Sequence, residues 1–131
     1  MILMDTCALI FDALSPDRLS DKALQAIDEG EKNSELTCSD ISLWEIAMLI
    51  AKDRLDPGTD VLSFLRLVLA ARMIRLLTIT PEIAKISADD TLFHHHDPAD
   101  RIIAASAIHY RGKLVTCDAR LHSIEGLNIV W

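Results

Sequence analysis

The sequence predicts an α/β fold in which helices cover both faces of a central, mostly parallel sheet of four to five strands. Short apolar segments typical of strands alternate along the chain with longer segments of helical periodicity. Two helix-start signals, Thr80-Pro81 and Asp97-Pro98, mark where some of the helices begin. With 131 residues, half of them hydrophobic, the chain is expected to form one domain, residues 1–131, around an apolar core.

The first part of the chain contains two predicted strands, each followed by helical sequence. Ser15-Pro16 ends the first helix, and Ser20 caps the next, which we expect to end near Gly30. Ser42-x-x-Glu45 has the form of a capping box at a helix start. The predicted strands here are Ile2 to Asp5 and Leu36 to Ser39, and the helices are Thr6 to Leu14, Ser20 to about Gly30, and Ser42 to about Lys52.

The second part repeats the alternation with three further strands. Asp56-Pro57-Gly58 is a turn, and Asp60 caps the helix after it. Gly112 closes the helix that Asp97-Pro98 opens. The predicted helices are Val61 to Met73, Thr80 to about Leu92, Ala99 to Arg111 and a short piece after Asp118, and the strands are Arg75 to Ile79, Lys113 to Thr116 and Leu127 to Trp131.

The helix Val61 to Met73 is apolar nearly all round. Its polar interior residues, Ser63, Arg66 and Arg72, do not share one face. A helix of this kind is buried on more than one side. The second side is covered either by packing within the monomer or by a subunit or partner protein, and the sequence favours the second interpretation slightly.

Charge and cysteine content limit the classes of function. A formal net charge of −7 counts against nucleic-acid binding, which usually leaves a basic footprint, but a bound cation would mask part of it and acidity suits a basic partner. Three cysteines, an odd count without metal-ligand spacing, indicate a reducing cytoplasm. The sequence contains no apolar run of membrane-spanning length and no signal peptide, so no membrane association is expected.

Four carboxylates, Asp5, Glu45, Asp100 and Asp118, each follow a predicted strand or lie in the first turn of a helix. In parallel α/β sheets this placement brings side chains together outside the carboxyl ends of the strands. Each like-charged pair would cost roughly 4 kcal/mol at about 4 Å and an effective dielectric near 20. Such a cluster is tolerated if protons or cations neutralise it, and oxygen ligands suit Mg²⁺ or Mn²⁺ for phosphodiester cleavage.

Taken singly, three of these acids have a structural interpretation that is favoured. Asp5 is a good N-cap for the helix that follows it. Glu45 completes the capping box with Ser42. Asp118 is a typical turn residue after a strand. Only their joint pattern indicates a site.

The segment Asp97-Pro98-Ala99-Asp100-Arg101 is more specific. Asp97 is the better N-cap because Pro98 then occupies the first helical position, which leaves Asp100 available as a ligand. The helix N-terminus stabilises the anionic form of Asp100. Arg101 is a candidate either for an RNA phosphate contact or for an ion pair with a surface acid, and the sequence does not distinguish the two.

These motifs together resemble a known family. Met-Asp-Thr before an apolar helix, Ser42-x-x-Glu45, Asp97 to Arg101 and Thr116-x-Asp118, in this order, resemble the PIN-domain nucleases, and more closely the VapC-type toxins of bacterial toxin–antitoxin pairs. The resemblance covers nearly the whole chain. It implies a three-layer α/β/α fold, a metal-dependent endoribonuclease that uses Mg²⁺ or Mn²⁺, and a homodimer neutralised by a cognate antitoxin.

The resemblance also implies roles for individual residues. The acidic site would consist of Asp5, Glu45, Asp100 and Asp118, with Asp5 and Asp100 as the principal metal ligands, Glu45 completing the shell or orienting water, and Asp118 supporting the same ion or a second one. The polar surroundings of the site would be Thr6, Ser42, Asp97 and Thr116. Cys7 and Cys117 depart from the residues that relatives usually carry beside the site.

Two alternative functions remain open at this point. One is a PIN nuclease that processes RNA without being a toxin. The other is a non-catalytic, receiver-like phospho-acceptor domain, although Asp5 stands alone where receivers have an acidic pair, and Lys113 precedes its strand.

Histidine and cysteine side chains suggest further sites. Three adjacent residues, His94 to His96, cannot all face one ion in a regular element, so a solvated loop is favoured over a metal site. The cysteines are expected to be buried and unreactive. A sharper hypothesis is that Cys7 and Cys117 approach the cleft and make it sensitive to oxidants.

Overall fold

The computed structural model describes residues 1–94 and 97–131. Within these residues the chain forms five strands, six α-helices and two short 3-10 helices. The strands are β1 (Ile2–Met4), β2 (Leu36–Ser39), β3 (Arg75–Leu77), β4 (Lys113–Val115) and β5 (Asn128–Val130). The α-helices are α1 (Thr6–Leu14), α2 (Asp21–Lys32), α3 (Asp40–Ala51), α4 (Val61–Ala71), α5 (Pro81–Ser87) and α6 (Pro98–Tyr110), and the 3-10 helices are Pro16–Arg18 and Ala119–Ser123.

The strands form one parallel sheet in the order β3-β2-β1-β4-β5. At the centre, Met4 of β1 is level with Cys38 of β2 and with Val115 of β4. The chain builds the sheet outward from β1 through β2 and β3, and then on the other side through β4 and β5. This order differs from the 2-1-3-4-5 order of flavodoxin-like domains, to which receivers belong, so the receiver-like alternative is wrong.

Two apolar clusters lie on opposite faces of the sheet, because successive side chains of a strand alternate between faces. Ile2 and Met4 point into the cluster that also contains buried residues of α1, α2 and α4. Leu3 and Leu114 point into the cluster formed with α5 and α6. The three-layer α/β/α arrangement with a parallel sheet is therefore confirmed.

Helix α3 begins at Asp40, five residues before Glu45, and not at the predicted capping box. Its N-cap is Ser39, whose hydroxyl accepts a hydrogen bond from the Ile41 N–H at 3.3 Å. Ser42 is fully buried inside the helix, so the capping-box interpretation of Ser42 and Glu45 is wrong. The early start frees both side chains to face α1.

Helix α2 continues through Gly30, where the sequence predicted its end. A Cβ at this position would lie 2.7 Å from Leu36 Cδ2 and 3.1 Å from Ile2 Cγ1. Glycine is therefore required here by the close packing of α2 on β1 and β2, and not by a left-handed helix end.

Helix α5 ends at Ser87 and not near Leu92. Asp89 Oδ1 accepts hydrogen bonds from the backbone N–H and the hydroxyl of Thr91, at 2.9 and 2.6 Å. Such local side-chain bonds offer the backbone an alternative to the helix, which explains the early stop. Turns follow as far as His94. The next two residues, His95 and His96, lie outside the described residues, and so does the predicted absence of a histidine metal site.

Helix α4 buries Phe64 and Val68 but leaves other apolar residues in solvent. Leu62 is 56% exposed and Leu67 is 60% exposed. The interpretation that this helix packs on two sides within the monomer is therefore wrong. One of its apolar sides is not covered by the described part of the chain. No helix among the described residues is long and apolar enough to span a membrane.

Candidate active site

The sheet topology creates a switch point between β1 and β4, where the chain reverses the direction in which strands are added. In open α/β sheets, ligands bind outside the carboxyl ends of the strands at such a point. Asp5 directly follows β1, and Thr116 and Asp118 follow β4. The Asp5 N–H donates to the Val115 carbonyl at 3.1 Å, which holds the two strand ends together.

Asp5 is at once the N-cap of α1 and a buried acid of this cleft. Its Oδ1 accepts a hydrogen bond from the Ala8 N–H at 2.7 Å. Burial raises the pKa of Asp5, and the charge of Asp118 raises it further, while hydrogen bonds from Thr116 and Ala8 oppose the shift. The capping role and the proposed site role are therefore compatible, because one carboxylate oxygen remains beyond the cap.

Glu45 reaches the cleft from the second turn of α3. The Thr6 hydroxyl donates a hydrogen bond to Glu45 Oε1 and lies 3.0 Å from the Ser42 hydroxyl. Burial raises the pKa of Glu45, the bond from Thr6 opposes this, and the charges of Asp97 and Asp5 add to the rise. Thr6 thus holds Glu45 directly, and Ser42 contacts Thr6. Their roles around a catalytic site stay predictions.

Asp100 lies in the first turn of α6, where Asp97 is the N-cap and accepts from the Asp100 N–H at 2.9 Å. Its pKa is raised to about 7, first by burial, then by the charge and hydrogen bond of Asp97, and then by the charges of Glu45 and Asp118. The predicted cap at Asp97 is confirmed. The pKa of Asp100 is thus raised by acids from α3 and from the segment after β4, as well as by its own N-cap residue.

Asp118 is fixed by its neighbours in sequence. Its N–H donates to the Thr116 hydroxyl at 3.1 Å, and its Oδ1 accepts from the Arg120 N–H at 3.0 Å. The Arg120 side chain donates to both carboxylate oxygens, from Nε at 3.0 Å and from Nη2 at 2.9 Å. Arg120 Nη2 also lies 3.6 Å from Asp100 Oδ2. Arg120 therefore bridges two of the predicted site acids.

Sequence reasoning missed Arg120. The local spacing Asp118-x-Arg120 indicates at most a short-range pair, and the approach to Asp100 depends on how α6 packs beside β4. Arg101 takes one of its two expected roles, because its Nη1 lies 2.9 Å from Asp90 Oδ1 and 3.4 Å from the Ser87 carbonyl. The RNA contact of Arg101 stays a prediction.

Cys38 is buried as expected, but Cys7 and Cys117 are exposed, so the expectation of burial is wrong for these two. Desolvation raises the pKa of the Cys7 thiol to about 12, with further contributions from the negative charges of Asp5, Cys117 and other cleft acids. Cys7 therefore does approach the cleft. Because the thiolate is the reactive form, this environment disfavours oxidation at neutral pH.

The donor set of the cleft is carboxylate oxygen, which fits Mg²⁺ or Mn²⁺. Burial and the charges of neighbouring acids raise the pKa values of Asp5, Glu45 and Asp100, and a cation would relieve the charge repulsion. Arg120 already brings a positive charge to Asp118 and Asp100. As the side chains stand, no three Asp, Glu, His or Cys residues in the described ranges enclose a position for an ion. Ion binding therefore needs side-chain rotation.

Comparison with known proteins identifies the fold family. The PIN domain family model matches residues 2–127. The chain belongs to the PIN-domain family. This PIN domain is 36% identical over 122 residues to Ribonuclease VapC22 of Mycobacterium tuberculosis (strain ATCC 25618 / H37Rv), a match that covers 93% of this chain and 90% of the relative. The resemblance to VapC-type proteins found in the sequence is thereby confirmed.

Solved structures of low sequence identity share the fold of this PIN domain. One is VapBC2 from Rickettsia felis bound to a DNA fragment from its promoter, with a TM-score of 0.73 and 19% identity, covering 98% of this chain and 97% of that one. Another is a toxin–antitoxin complex from Klebsiella pneumoniae, with a TM-score of 0.62 and 20% identity, covering 97% and 95%. These likenesses support the architecture described above.

Proposed function

We propose that this PIN domain is a divalent-metal-dependent endoribonuclease and the toxin of a toxin–antitoxin pair. The observation that carries the proposal is the placement of Asp5, Glu45, Asp100 and Asp118 around one end of the sheet, where burial and neighbouring acidic charges raise the pKa values of the first three. The 36% identity to a protein named as a ribonuclease supports RNA as the substrate. The net charge of −7 counts against nucleic-acid binding, but a cation bound in the cleft would neutralise part of the negative charge where RNA approaches.

Asp5 and Asp100 would hold the cation, with Glu45 and Asp118 contributing directly or through water. A bound Mg²⁺ or Mn²⁺ would supply Lewis-acid stabilisation of phosphate charge and lower the pKa of an attacking water. Glu45 would contribute through Oε2 while Oε1 keeps the bond from Thr6, and Asp118 would contribute through water while it holds Arg120.

The chain's own residues orient the reaction. The Ala8 N–H and the Thr116 hydroxyl fix the orientation of the Asp5 carboxylate. Thr6 and Ser42 position Glu45 to orient a water molecule for in-line attack on the phosphate. In-line attack by water with the 3′-oxygen as the leaving group would give a 5′-phosphate on one product and a 3′-hydroxyl on the other, as the family resemblance implies.

The test is incubation with total RNA in Mg²⁺, in Mn²⁺ and in EDTA. Wild-type protein is expected to cleave with either ion and not in EDTA. Asp100→Asn removes a ligand charge without changing size and is expected to abolish cleavage. Asp53→Asn is the matched control, because Asp53 is exposed in the turn after α3, at a positive φ that Asn also adopts. Cleavage that persists in EDTA would contradict the proposal.

An antitoxin is proposed as the partner of the groove between α1 and α4. This groove has a volume of about 550 Å³ and is lined by apolar and charged side chains. The apolar lining includes Leu9, Phe64, Leu67 and Val68, and the charged lining includes Asp12, Glu31 and Arg72, two acids for one arginine. An amphipathic helix with basic residues beside its apolar face fits this arrangement. The neighbours described as VapBC and toxin–antitoxin complexes support a partner of this kind.

The groove proposal is tested by co-purification with the product of a small reading frame beside the gene. Leu67→Asp is expected to abolish the complex without reducing RNA cleavage. Leu62→Asp is the matched control, since Leu62 lies on the same helix, is similarly exposed and does not line the groove. Equal loss of the complex in both variants, or in neither, would move the partner to another surface.

A homodimer is proposed through the face that carries Trp44. Trp44 is 57% exposed, and it lies one helical turn after Asp40, whose Oδ2 accepts from the Ile79 N–H at 3.4 Å. Trp44 and the exposed Ile79 both lie near Asp40, and we propose that they belong to one apolar patch that suits a second copy of the chain. Light scattering is expected to give a dimer mass at micromolar concentration, and Trp44→Asp is expected to give a monomer.

The second candidate within the same family is an RNA-processing nuclease that is not a toxin. The apolar groove favours the toxin, because an enzyme without an antitoxin has no need to expose it. Induced expression in a bacterial host distinguishes the two: a toxin arrests growth and the Asp100→Asn variant does not. Unimpaired growth with active wild-type enzyme would favour processing.

A further inference from the structure

Arg120 occupies the mouth of the acidic cleft. Its guanidinium holds Asp118 with two parallel hydrogen bonds, from Nε at 3.0 Å and from Nη2 at 2.9 Å, and Nη2 lies 3.6 Å from Asp100. Two-point contact fixes the plane of the guanidinium as well as its position. The side chain is nonetheless 67% exposed, so it faces the solvent from which a substrate arrives.

Part of the hydrogen-bonding capacity of Arg120 is unused. A guanidinium has five N–H groups, and the contacts with Asp118 and Asp100 come from Nε and Nη2. Nη1 makes no hydrogen bond or ion pair with any residue of the described ranges. Its two N–H groups therefore remain for a ligand, while Asp118 keeps the other edge of the guanidinium fixed.

The other ion-paired arginines differ in this respect. Arg72 contacts Asp12, Asp28 and Glu31 through Nε, Nη1 and Nη2. Arg101 contacts Asp90, away from the cleft acids. Among the described residues, Arg120 is the arginine that pairs with proposed site acids and still presents a free edge.

We propose that Arg120 binds a phosphate of the RNA substrate at the cleft and that Asp118 positions it for this contact. The inference rests on the proposed function for the identity of the substrate. A cleft of carboxylates repels a polyanion, and a fixed cation at its mouth offsets that repulsion locally. The planar fork of Arg suits phosphate oxygens, which the unused Nη1 edge can reach without breaking the bonds to Asp118.

The competing interpretation is that Arg120 is only a counter-ion for Asp118 and Asp100. In that case its removal would leave RNA binding unchanged and would strengthen cation binding. A phosphate contact instead predicts weaker RNA binding even in the absence of any metal. Binding of a short, fluorescein-labelled, random-sequence RNA, measured by anisotropy in EDTA, separates the two because no cleavage and no cation contribute.

Arg120→Ala is expected to weaken this binding about tenfold or more, since a charge-assisted hydrogen bond contributes about 1.5–3 kcal/mol. The slope of log affinity against log salt should fall by about 0.7 for one lost phosphate contact on a single strand. Arg75→Ala is the matched control, because it makes the same charge change on an exposed residue at the opposite, amino end of the sheet. It should leave both quantities unchanged.

Arg120→Lys keeps the charge but loses the planar fork of the guanidinium, so we expect an RNA affinity between those of wild type and Arg120→Ala. This variant also keeps the test decisive if Arg120→Ala does not fold. Calorimetric titration with Mn²⁺ completes the test. The inference is overturned if Arg120→Ala binds RNA as tightly as wild type does, whether or not it binds Mn²⁺ more tightly. It is also overturned if wild type does not bind RNA in EDTA. Failure of the proposed function is separate: it would be wild type that does not cleave RNA with any metal.

Discussion

Two clusters of acids around an arginine serve opposite purposes in this molecule. Arg72 joins α4 to α1 and α2, with 2.8 Å contacts to Asp12, Asp28 and Glu31. At the cleft, Arg120 meets Asp118 and Asp100, whereas Asp5 and Glu45 form no ion pair with a cation among the described residues. The first cluster engages Nε, Nη1 and Nη2 of its arginine, and in the second burial and neighbouring acidic charges raise the pKa values of Asp5 and Glu45.

The difference shows where the chain gains stability and where it gives stability up. Burial lowers the pKa of Arg72, yet the hydrogen bonds that Arg72 donates to Asp12 and Asp28 more than reverse this, so the charged form is favoured. In the cleft, burial and like charges instead favour the protonated form of Asp100. A folded chain maintains such an unfavourable arrangement where it has a use for it.

The largest effect expected is the loss of metal-dependent cleavage in Asp100→Asn. The same variant should unfold at a higher temperature than wild type in EDTA, because it removes a charge whose neighbours repel it. Differential scanning calorimetry with a gel assay for cleavage provides both measurements. If the variant instead loses both activity and metal-free stability, Asp100 is needed for the fold, and the proposed role as a metal ligand is not supported.

Arg72→Ala should show the opposite behaviour. Loss of its charge-assisted hydrogen bonds to partly buried Asp12, whose other contacts are few, is expected to cost about 2 kcal/mol of unfolding free energy. Cleavage per folded molecule should be unchanged. Urea denaturation checks the stability, and Arg54→Ala, an exposed arginine, should stay within about 0.5 kcal/mol of wild type.

Thr6→Val tests how far the cleft depends on supporting hydrogen bonds. It keeps the shape of the side chain and removes the bond to Glu45 and the contact with Ser42. We expect kcat to fall about tenfold, the lower range for residues that support metal ligands. Thr91→Val, which removes an exposed hydroxyl contact with Asp89, is the control that should keep full activity.

The smallest effect expected is a pH dependence of metal-free stability. The pKa of Asp100 is about 7 in the folded chain and 3.8 as the reference value, so the folded state binds more protons between these values. Stability should therefore fall as pH rises from about 4 to 7. Thermal melts in EDTA should show a weaker fall in Asp100→Asn. Melting temperatures that rise across this window in wild type would falsify the assignment.

Local signals in the sequence predicted most of the fold. Strand positions, the caps at Asp5, Ser20, Asp60 and Asp97, and the full extent of α1 depend on residues close in sequence, and all are confirmed. Errors arose where a distant residue decides. The glycine at position 30 reflects close packing against Leu36 of the neighbouring strand, and it does not mark the end of its own helix.

The candidate site shows the same division. The sequence predicted four site acids, because each follows a strand or lies near the start of a helix, and the topology brings them towards one end of the sheet. The partners that tune them were harder to find. Thr6 and Ser42 were expected only from the family resemblance, and Arg120 was not expected at all, since its contact with Asp100 joins elements that no local pattern relates.

The double role of Asp5 has an evolutionary consequence. Asparagine caps helices about as well as aspartate, so Asp5→Asn would keep the start of α1 intact while removing a charge from the cleft. A change in one codon base can produce this substitution. Descendants of such a gene could fold, display the same surfaces and bind the same protein partners without cutting RNA, and would thereby act as decoys for the inhibitor of the active protein.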